Sequence, residues 1–169
     1  PQELTYRVIC GTDSEEIPVS LEGNSDSFRM KLSFLPNGNC VILPNINGRG
    51  YGFFKITEGE SSGLWSVLRS SEDEVLKGSL LITLYENLRW KTISPQGFRE
   101  EMLAYLPNES NSLLFSMALS YLGDCQRIFP SDSRPLEQVL WKIVTTNPVS
   151  QHRLQAFRLY RSIADSEEA

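Results

Sequence analysis

A chain of 169 residues is long enough to bury its own core in one ordinary domain or two small ones. Hydrophobic residues at 40% and charged residues at 22% lie near the globular average, which excludes a disordered tract, a collagen-like repeat and a disulfide-dense miniature scaffold. Lys and Arg number 16 against 21 Asp and Glu, a net charge of -5, so there is no basic surplus to neutralise phosphates and nucleic acid is not expected as a partner.

The first third reads as strands. Leu4 to Cys10 mixes β-branched and aromatic residues, and after the turn-rich Gly11-Thr12-Asp13-Ser14 the apolar positions 17, 19 and 21 alternate up to Leu21, which predicts a strand pair. Gly23-Asn24-Ser25-Asp26 signals a second turn, followed by Phe28, Met30, Leu32 and Phe34 at a strict period of two. Asn37-Gly38 favours a tight hairpin before Cys40 to Leu43, and a last strand is expected from Tyr51 to Thr57. Five short strands with turns between them predict a small antiparallel β-sandwich over residues 1–58.

At Gly59-Glu60-Ser61-Ser62-Gly63 the pattern breaks, and the hydrophobic period then changes from two to three or four. Ser71 is a candidate cap, with Glu74 three residues on, for a helix carrying Val75, Leu76, Leu80, Leu84 and Leu88. Ser94-Pro95 opens a second helix with Phe98, Met102, Leu103 and Leu106 inward. Cap residues at Asn108 to Asn111 open a third, whose stripe of Leu113, Leu114, Met117, Ala118 and Tyr121 ends near Gly123. Pro135 opens a fourth with Leu136, Val139, Leu140 and Ile143 inward, and Asn147-Pro148 a fifth with Leu154, Phe157 and Tyr160. The expected fold class is therefore α+β: the sandwich, then an all-α domain over residues 59–169 of stacked antiparallel helix pairs of the α-solenoid type.

Few residues offer chemistry. His152 is the single histidine, so a two-His zinc site cannot form within the chain, and Cys10, Cys40 and Cys125 have no C-x-x-C spacing. His152 is expected as an exposed first-turn residue rather than a general base, because no triad pattern or Gly-x-Ser-x-Gly elbow accompanies it. Gly48-Arg49-Gly50 could form a nest of amides for an anion, but it reads better as a strand-entry turn; neither nucleotide-binding glycine motif is present. The pairs Glu15-Glu16, Glu100-Glu101 and Glu167-Glu168 read as solvated surface. Cys10 and Cys40 could bridge a sheet but read as buried free thiols, and Cys125 carries no mark of a nucleophile. Trp65, Trp90 and Trp141 could serve as a carbohydrate platform, with core packing the default expectation. No run of 18 apolar residues exists and Pro1-Gln2-Glu3-Leu4 is no leader, so neither a membrane segment nor an export signal is read. The absent initiator Met points to a processed product or an excised segment, and the sequence does not choose between a cytoplasmic and a periplasmic compartment.

One stretch carries a more specific signal. Asn45, the pair Gly50-Tyr51, Trp65-Ser66-Val67-Leu68 and Ser70-Ser71-Glu72-Asp73 follow one another in an order and spacing that resembles the aminopeptidase N-like zinc metallopeptidases, the gluzincin family. The departures are Glu74 after Asp73, where the family usually continues Asp-Arg, and Gly52 in place of a second aromatic. A divergent bacterial member fits that pattern. The resemblance implies a small β-sandwich followed by the start of a HEAT-like helical domain, with Asn45, Gly50, Tyr51, Trp65, Leu68 and Asp73 as structural positions. It implies no catalytic, metal or cofactor residue in this segment. The zinc, the His-Glu-x-x-His motif, the Gly-x-Met-Glu-Asn loop and the catalytic Tyr would lie upstream of Pro1, in a catalytic domain that is this segment's partner, with peptides as the parent's substrates. Tyr51 is expected as an aromatic packed at the junction between the sandwich and the helices. The alternative, of a different class, is a stand-alone sandwich-plus-helical module that binds a protein or glycan.

Overall fold

A computed structural model describes residues 2–21, 31–34, 40–50 and 52–164. The fold is α+β, and its described part holds one three-stranded antiparallel sheet and six α-helices. The chain divides into two compact units, Pro1–Ile93 and Ser94–Ala169.

In the first unit β1 (Gln2–Cys10) and β2 (Asp13–Leu21) form a hairpin over the two-residue turn Gly11-Thr12, with Gly11 at a φ of 63°. β3 (Cys40–Leu43) pairs with the other edge of β1, giving the order β2-β1-β3. The period of two is real: Leu4, Val8 and Cys10 are buried from one face of β1, while Ser14, Glu16, Pro18 and Ser20 of β2 are exposed. Pro18 has no N–H for a ladder, and it is tolerated because β2 is an edge strand. Opposite charges meet across the hairpin, where Arg7 faces Glu16 in register and pairs with it.

Cys10 stands directly opposite Cys40, with Cα atoms 4.3 Å apart, and the two form a disulfide. The free-thiol expectation is corrected by this register. Two other runs expected as strands form none over their described residues. In the run expected from Phe28 to Phe34, residues 28–30 lie outside the described set, and residues 31–34 form no strand. In the run expected from Tyr51 to Thr57, Tyr51 lies outside the described residues and residues 52–57 join no sheet. The Asn87 side chain substitutes for the missing ladder partner there, accepting from Ile56 N at 2.9 Å and donating to Phe54 O at 2.8 Å.

The segment expected as a break, Gly59 to Gly63, lies inside helix α1 (Glu58–Ser70). Thr57 and Glu60 form a capping box that starts this helix: the Thr57 hydroxyl accepts from Glu60 N, and the Glu60 carboxylate accepts from Thr57 N at 2.7 Å. Gly63 is there for a close approach, since a Cβ on it would sit 2.6 Å from the Val41 side chain of β3. Ser71 ends α1 instead of capping the next helix; α2 (Glu74–Arg89) is capped by Asp73, whose carboxylate accepts from Val75 N and Leu76 N. The unit's core gathers Leu4, Val8, Leu43, Leu64, Trp65, Leu68, Leu80, Leu84 and Leu88.

The second unit holds α3 (Pro95–Tyr105), a single 3-10 turn at Leu106–Asn108, α4 (Ser112–Ile128), α5 (Arg134–Thr146) and α6 (Ser150–Ile163). Ser94 and Asn111 cap α3 and α4 as expected from their positions. α4 runs on past Gly123, where its end was expected, because the glycine is again a contact: a Cβ there would lie 3.0 Å from Leu159 of α6. A link of three residues, Asn147 to Val149, folds α6 back against α5. α4 and α6 run parallel, since their contacts advance together along both chains, from Ser112 with His152 through Ser116 with Gln155 to Gly123 beside Leu159. This pairing turns His152, Ala156 and Leu159 toward α4 and leaves Leu154 and Phe157 exposed, so the inward face expected for α6 is corrected by its register against α4. Trp141 is 50% exposed on α5, correcting its reading as core.

Candidate functional site

The residues that carry the family resemblance are placed as structural parts of the first unit. Asn45, at a φ of 51°, occupies the left-handed region that Asn tolerates better than most residues. Its side-chain amide closes on Gly50, with Oδ1 accepting from Gly50 N at 2.6 Å and Nδ2 donating to Gly50 O at 3.0 Å. A Cβ on Gly50 would fall 1.8 Å from Leu4 Cδ2, so glycine is required. The Asn45 carbonyl accepts from Ser79 Oγ of α2 at 2.7 Å, tying this loop to the helix. Trp65 and Leu68 project from one face of α1 and are buried, and Asp73 caps α2. Asn45 and Gly50 are thus brought together, whereas Asp73 serves a separate helix end and Tyr51 lies outside the described residues.

The same loop settles the anion question by hydrogen-bond count. Gly48 N donates to Asn45 O, Arg49 N to Asn47 Oδ1 and Gly50 N to Asn45 Oδ1. All three amides of Gly48-Arg49-Gly50 are used inside the turn, the reading favoured over an anion nest.

Among the described residues, the second unit holds an arrangement that resembles catalytic machinery. His152 is fully buried, not exposed, and its ring stacks on Phe115 with centroids 4.0 Å apart and planes 4° from parallel. Its Nε2 lies 3.0 Å from Ser112 Oγ, a serine–histidine contact. The third member fails: Nδ1 is buried with no hydrogen-bond partner, and the nearby Glu109 carboxylate is occupied by the Tyr105 hydroxyl and by Asn111 N at 2.7 Å. Nothing orients the tautomer, and the ring is closed to substrate. Burial lowers the His152 pKa, with the Glu109 charge acting the other way. Burial raises the Tyr105 hydroxyl, and its bond to Glu109 adds to the shift. The Cys125 thiol is likewise pushed up by burial, against a smaller opposing effect of Arg99, which makes it an inert core sulfur.

Two surface features remain. A cavity of about 740 Å³ is lined by residues of α4 and α6, among others Ser120, Gly123, Arg127, Arg158, Leu159 and Ser162. Arg127 is paired with Asp124 and sits in the last turn of α4, where the backbone dipole already attracts a cation. The exposed aromatics form two tilted pairs, Phe53 with Trp90 at 43° and Trp141 with Tyr160 at 40°, neither of which offers a flat face to a sugar ring.

Sequence reasoning missed Asn87 and His152. For Asn87 the signal was an amide residue at a core-facing position of α2, between Leu84 and Leu88. For His152 it was Ala156 one turn on, a small residue marking the close face of α6. Among the described residues no group of three or more His, Cys, Asp or Glu side chains could hold a metal ion, and no helix is long and apolar enough to cross a membrane. No family model matches the chain, and neither a curated protein nor a solved structure matches it.

Proposed function

We propose that this chain is the non-catalytic C-terminal part of a zinc-dependent aminopeptidase, in which it helps form and close the chamber that receives peptide N-termini. The observation that carries the reading is the role of the resembling residues: Asn45 grips Gly50, Trp65 and Leu68 fill the core, and Asp73 caps a helix. Residues at such posts are held by packing and backbone satisfaction rather than by chemistry, which suits a segment that supplies walls. The locked state of His152 and the spent amides of residues 48–50 favour the same division of labour. On this reading β1 to β3 belong to a small sandwich, and the α5–α6 hairpin is one of a series of stacked antiparallel pairs. The zinc and its ligands belong to the upstream catalytic domain, which is the segment's partner in the chain, and peptides are the substrates of the whole enzyme.

The test is the reading frame upstream of Pro1 together with the activity of its product. The frame should encode His-Glu-x-x-His with a Glu about 18 residues further on. The extended protein should hydrolyse aminoacyl anilides in a chelator-sensitive way, and residues 1–169 alone should not. An upstream frame without the motif, or hydrolysis by the isolated chain, overturns the reading.

A second reading, a stand-alone module that binds a partner, is favoured by one observation, the exposure of Trp90 and Trp141. Their tilted pairings make a protein the better partner than a glycan within that reading.

A further inference from the structure

The parallel pair α4–α6 is joined at one end by polar rungs a turn apart. Ser112 Oγ meets His152 Nε2, and Ser116 Oγ meets the Gln155 amide at 2.8 and 3.0 Å; further along the two helices Gly123 comes close to Leu159. The first rung itself fits either charge state of the imidazole, because the Ser112 hydroxyl can donate to Nε2 or accept from it; the other ring nitrogen has no such partner among the described residues. A neutral ring has one donor and one acceptor, and the Ser112 hydroxyl can match either. A protonated ring has two donors, and its Nδ1–H would point into buried space where no acceptor is in hydrogen-bonding reach. The ring is also sealed against Phe115, so the new charge could not be hydrated without moving α6.

The charges around the ring do not relieve this. From α4 it meets Ser112 and Phe115, which are uncharged. From the turn before α4 it feels Glu109, whose carboxylate is held by Tyr105 and Asn111. On α5 the buried carboxylate is Glu137, near the start of that helix and so at the far end of the α5–α6 hairpin from His152; Ser133 Oγ donates to it at 2.6 Å. Arg134 and Lys142 of α5 are exposed. On α6 itself the Arg153 guanidinium is turned to the Asn147 carbonyl at 2.8 Å.

We propose that His152 is an acid-sensitive clasp: when the ring takes a proton, the Ser112 rung and the stack on Phe115 give way and α6 separates from α4. Burial, the largest influence on this imidazole, keeps its pKa below the ordinary value of about 6.5, with Glu109 opposing. The open state therefore binds more protons than the closed one. The clasp is at full strength above about pH 6.5 and weakens as pH falls below it. The inference stands on the second unit alone and is independent of the aminopeptidase reading.

Because His152 is the chain's single histidine, its imidazole signals in an NMR titration of the 169-residue chain are unambiguous. The expected result is a pKa below that of a free histidine. Amide exchange in α6, corrected for the intrinsic pH effect, should accelerate between pH 7.5 and 5.5 by at most about tenfold, the limit set over that range by the protonation of a free imidazole with a pKa of about 6.5. H152Q, which keeps a neutral polar group, should lose that pH dependence. A wild-type pKa at or above about 6.5, or unchanged α6 exchange across the titration, overturns the proposal even if H152Q does not fold. An H152Q protein that retains the wild-type pH dependence also overturns it.

Discussion

In residues 1–93 two buried polar side chains, Ser79 and Asn87, reach distant backbone groups, whereas in residues 94–169 the polar rungs between α4 and α6 join side chain to side chain. Asn87 serves Phe54 O and Ile56 N from 33 and 31 positions away, and Ser79 donates to Asn45 O across 34. In the helical unit the long-range polar contacts are Ser112 with His152 and Ser116 with Gln155, side chain to side chain, apart from Arg99 reaching Phe129 O and Cys125 reaching Pro95 O. The cause is local structure. Helices satisfy their own backbone, so side chains there only set the register of one helix on another. The first unit contains irregular chain, notably 44–50 and 52–57, whose buried amides and carbonyls need partners from elsewhere. Loss of a polar side chain should therefore orphan backbone groups in the first unit and remove only a rung in the second.

The strongest way to break this contrast is to cut the covalent tie. The Cys10–Cys40 bridge closes a separation of 30 residues, for which the chain-entropy account gives about 3 to 4 kcal/mol. Denaturation of the first unit in urea should shift by that amount on reduction, or in the doubly substituted Cys10→Ser, Cys40→Ser protein. Amide exchange in α3 to α6 should stay as it was, because the one cysteine of that unit, Cys125, is a buried free thiol. Equal loosening of both units would show that they do not stand apart energetically.

A finer cut is Asn87→Ala. It removes the acceptor of Ile56 N and Thr92 Oγ1 and the donor to Phe54 O and Thr83 O in one step. With a buried N–H left unpaired, the cost should be about 2 to 4 kcal/mol. Ser112→Ala, the comparable loss in the helical unit, should cost about 1 kcal/mol at neutral pH. Equal effects in chemical denaturation would dissolve the distinction between orphaned backbone and lost rung.

Much of this was legible in the sequence where a single local rule decided the outcome. The alternation in β1 and β2, the Ser94 and Asn111 caps and the leucine spacing of α2 each follow from short-range chemistry, and each element forms. The failures share a different cause, a partner far along the chain. Residues 52–57 have strand-like composition but take their hydrogen bonds from Asn87. Gly63 reads as part of a break and Gly123 as a helix end, yet they are places where Val41 and Leu159 come close. The Cys10–Cys40 bridge requires the β1–β3 register, and the buried face of α6 requires α4 beside it; neither is a property of the segment alone. At the candidate site, the turn at Gly48-Arg49-Gly50 is legible in the sequence but the strand it is expected to enter does not form over residues 52–57, and the use of each amide within the loop belongs to the folded Asn45–Gly50 clasp.

The smallest expected effect separates burial from mere apolarity. Trp65 and Trp141 both have apolar neighbours at helical spacing, and the sequence treats them alike. In the fold Trp65 is 2% exposed on the buried face of α1, while Trp141 is 50% exposed and leans on Tyr160 at a centroid distance of 5.4 Å and a tilt of 40°. An enclosed Trp truncated to Ala loses its transfer energy and leaves a cavity, together about 3 to 5 kcal/mol. Trp141→Ala leaves no cavity, because solvent fills the space, and it forfeits part of one ring's contact area plus a tilted aromatic pair worth about 0.5 to 1 kcal/mol. A loss near 1 kcal/mol in urea denaturation is therefore expected, with the Trp141 contribution to fluorescence open to acrylamide quenching in the folded chain. A loss above about 3 kcal/mol would mean that this ring is covered in solution, and would return it to the core from which its exposure removes it.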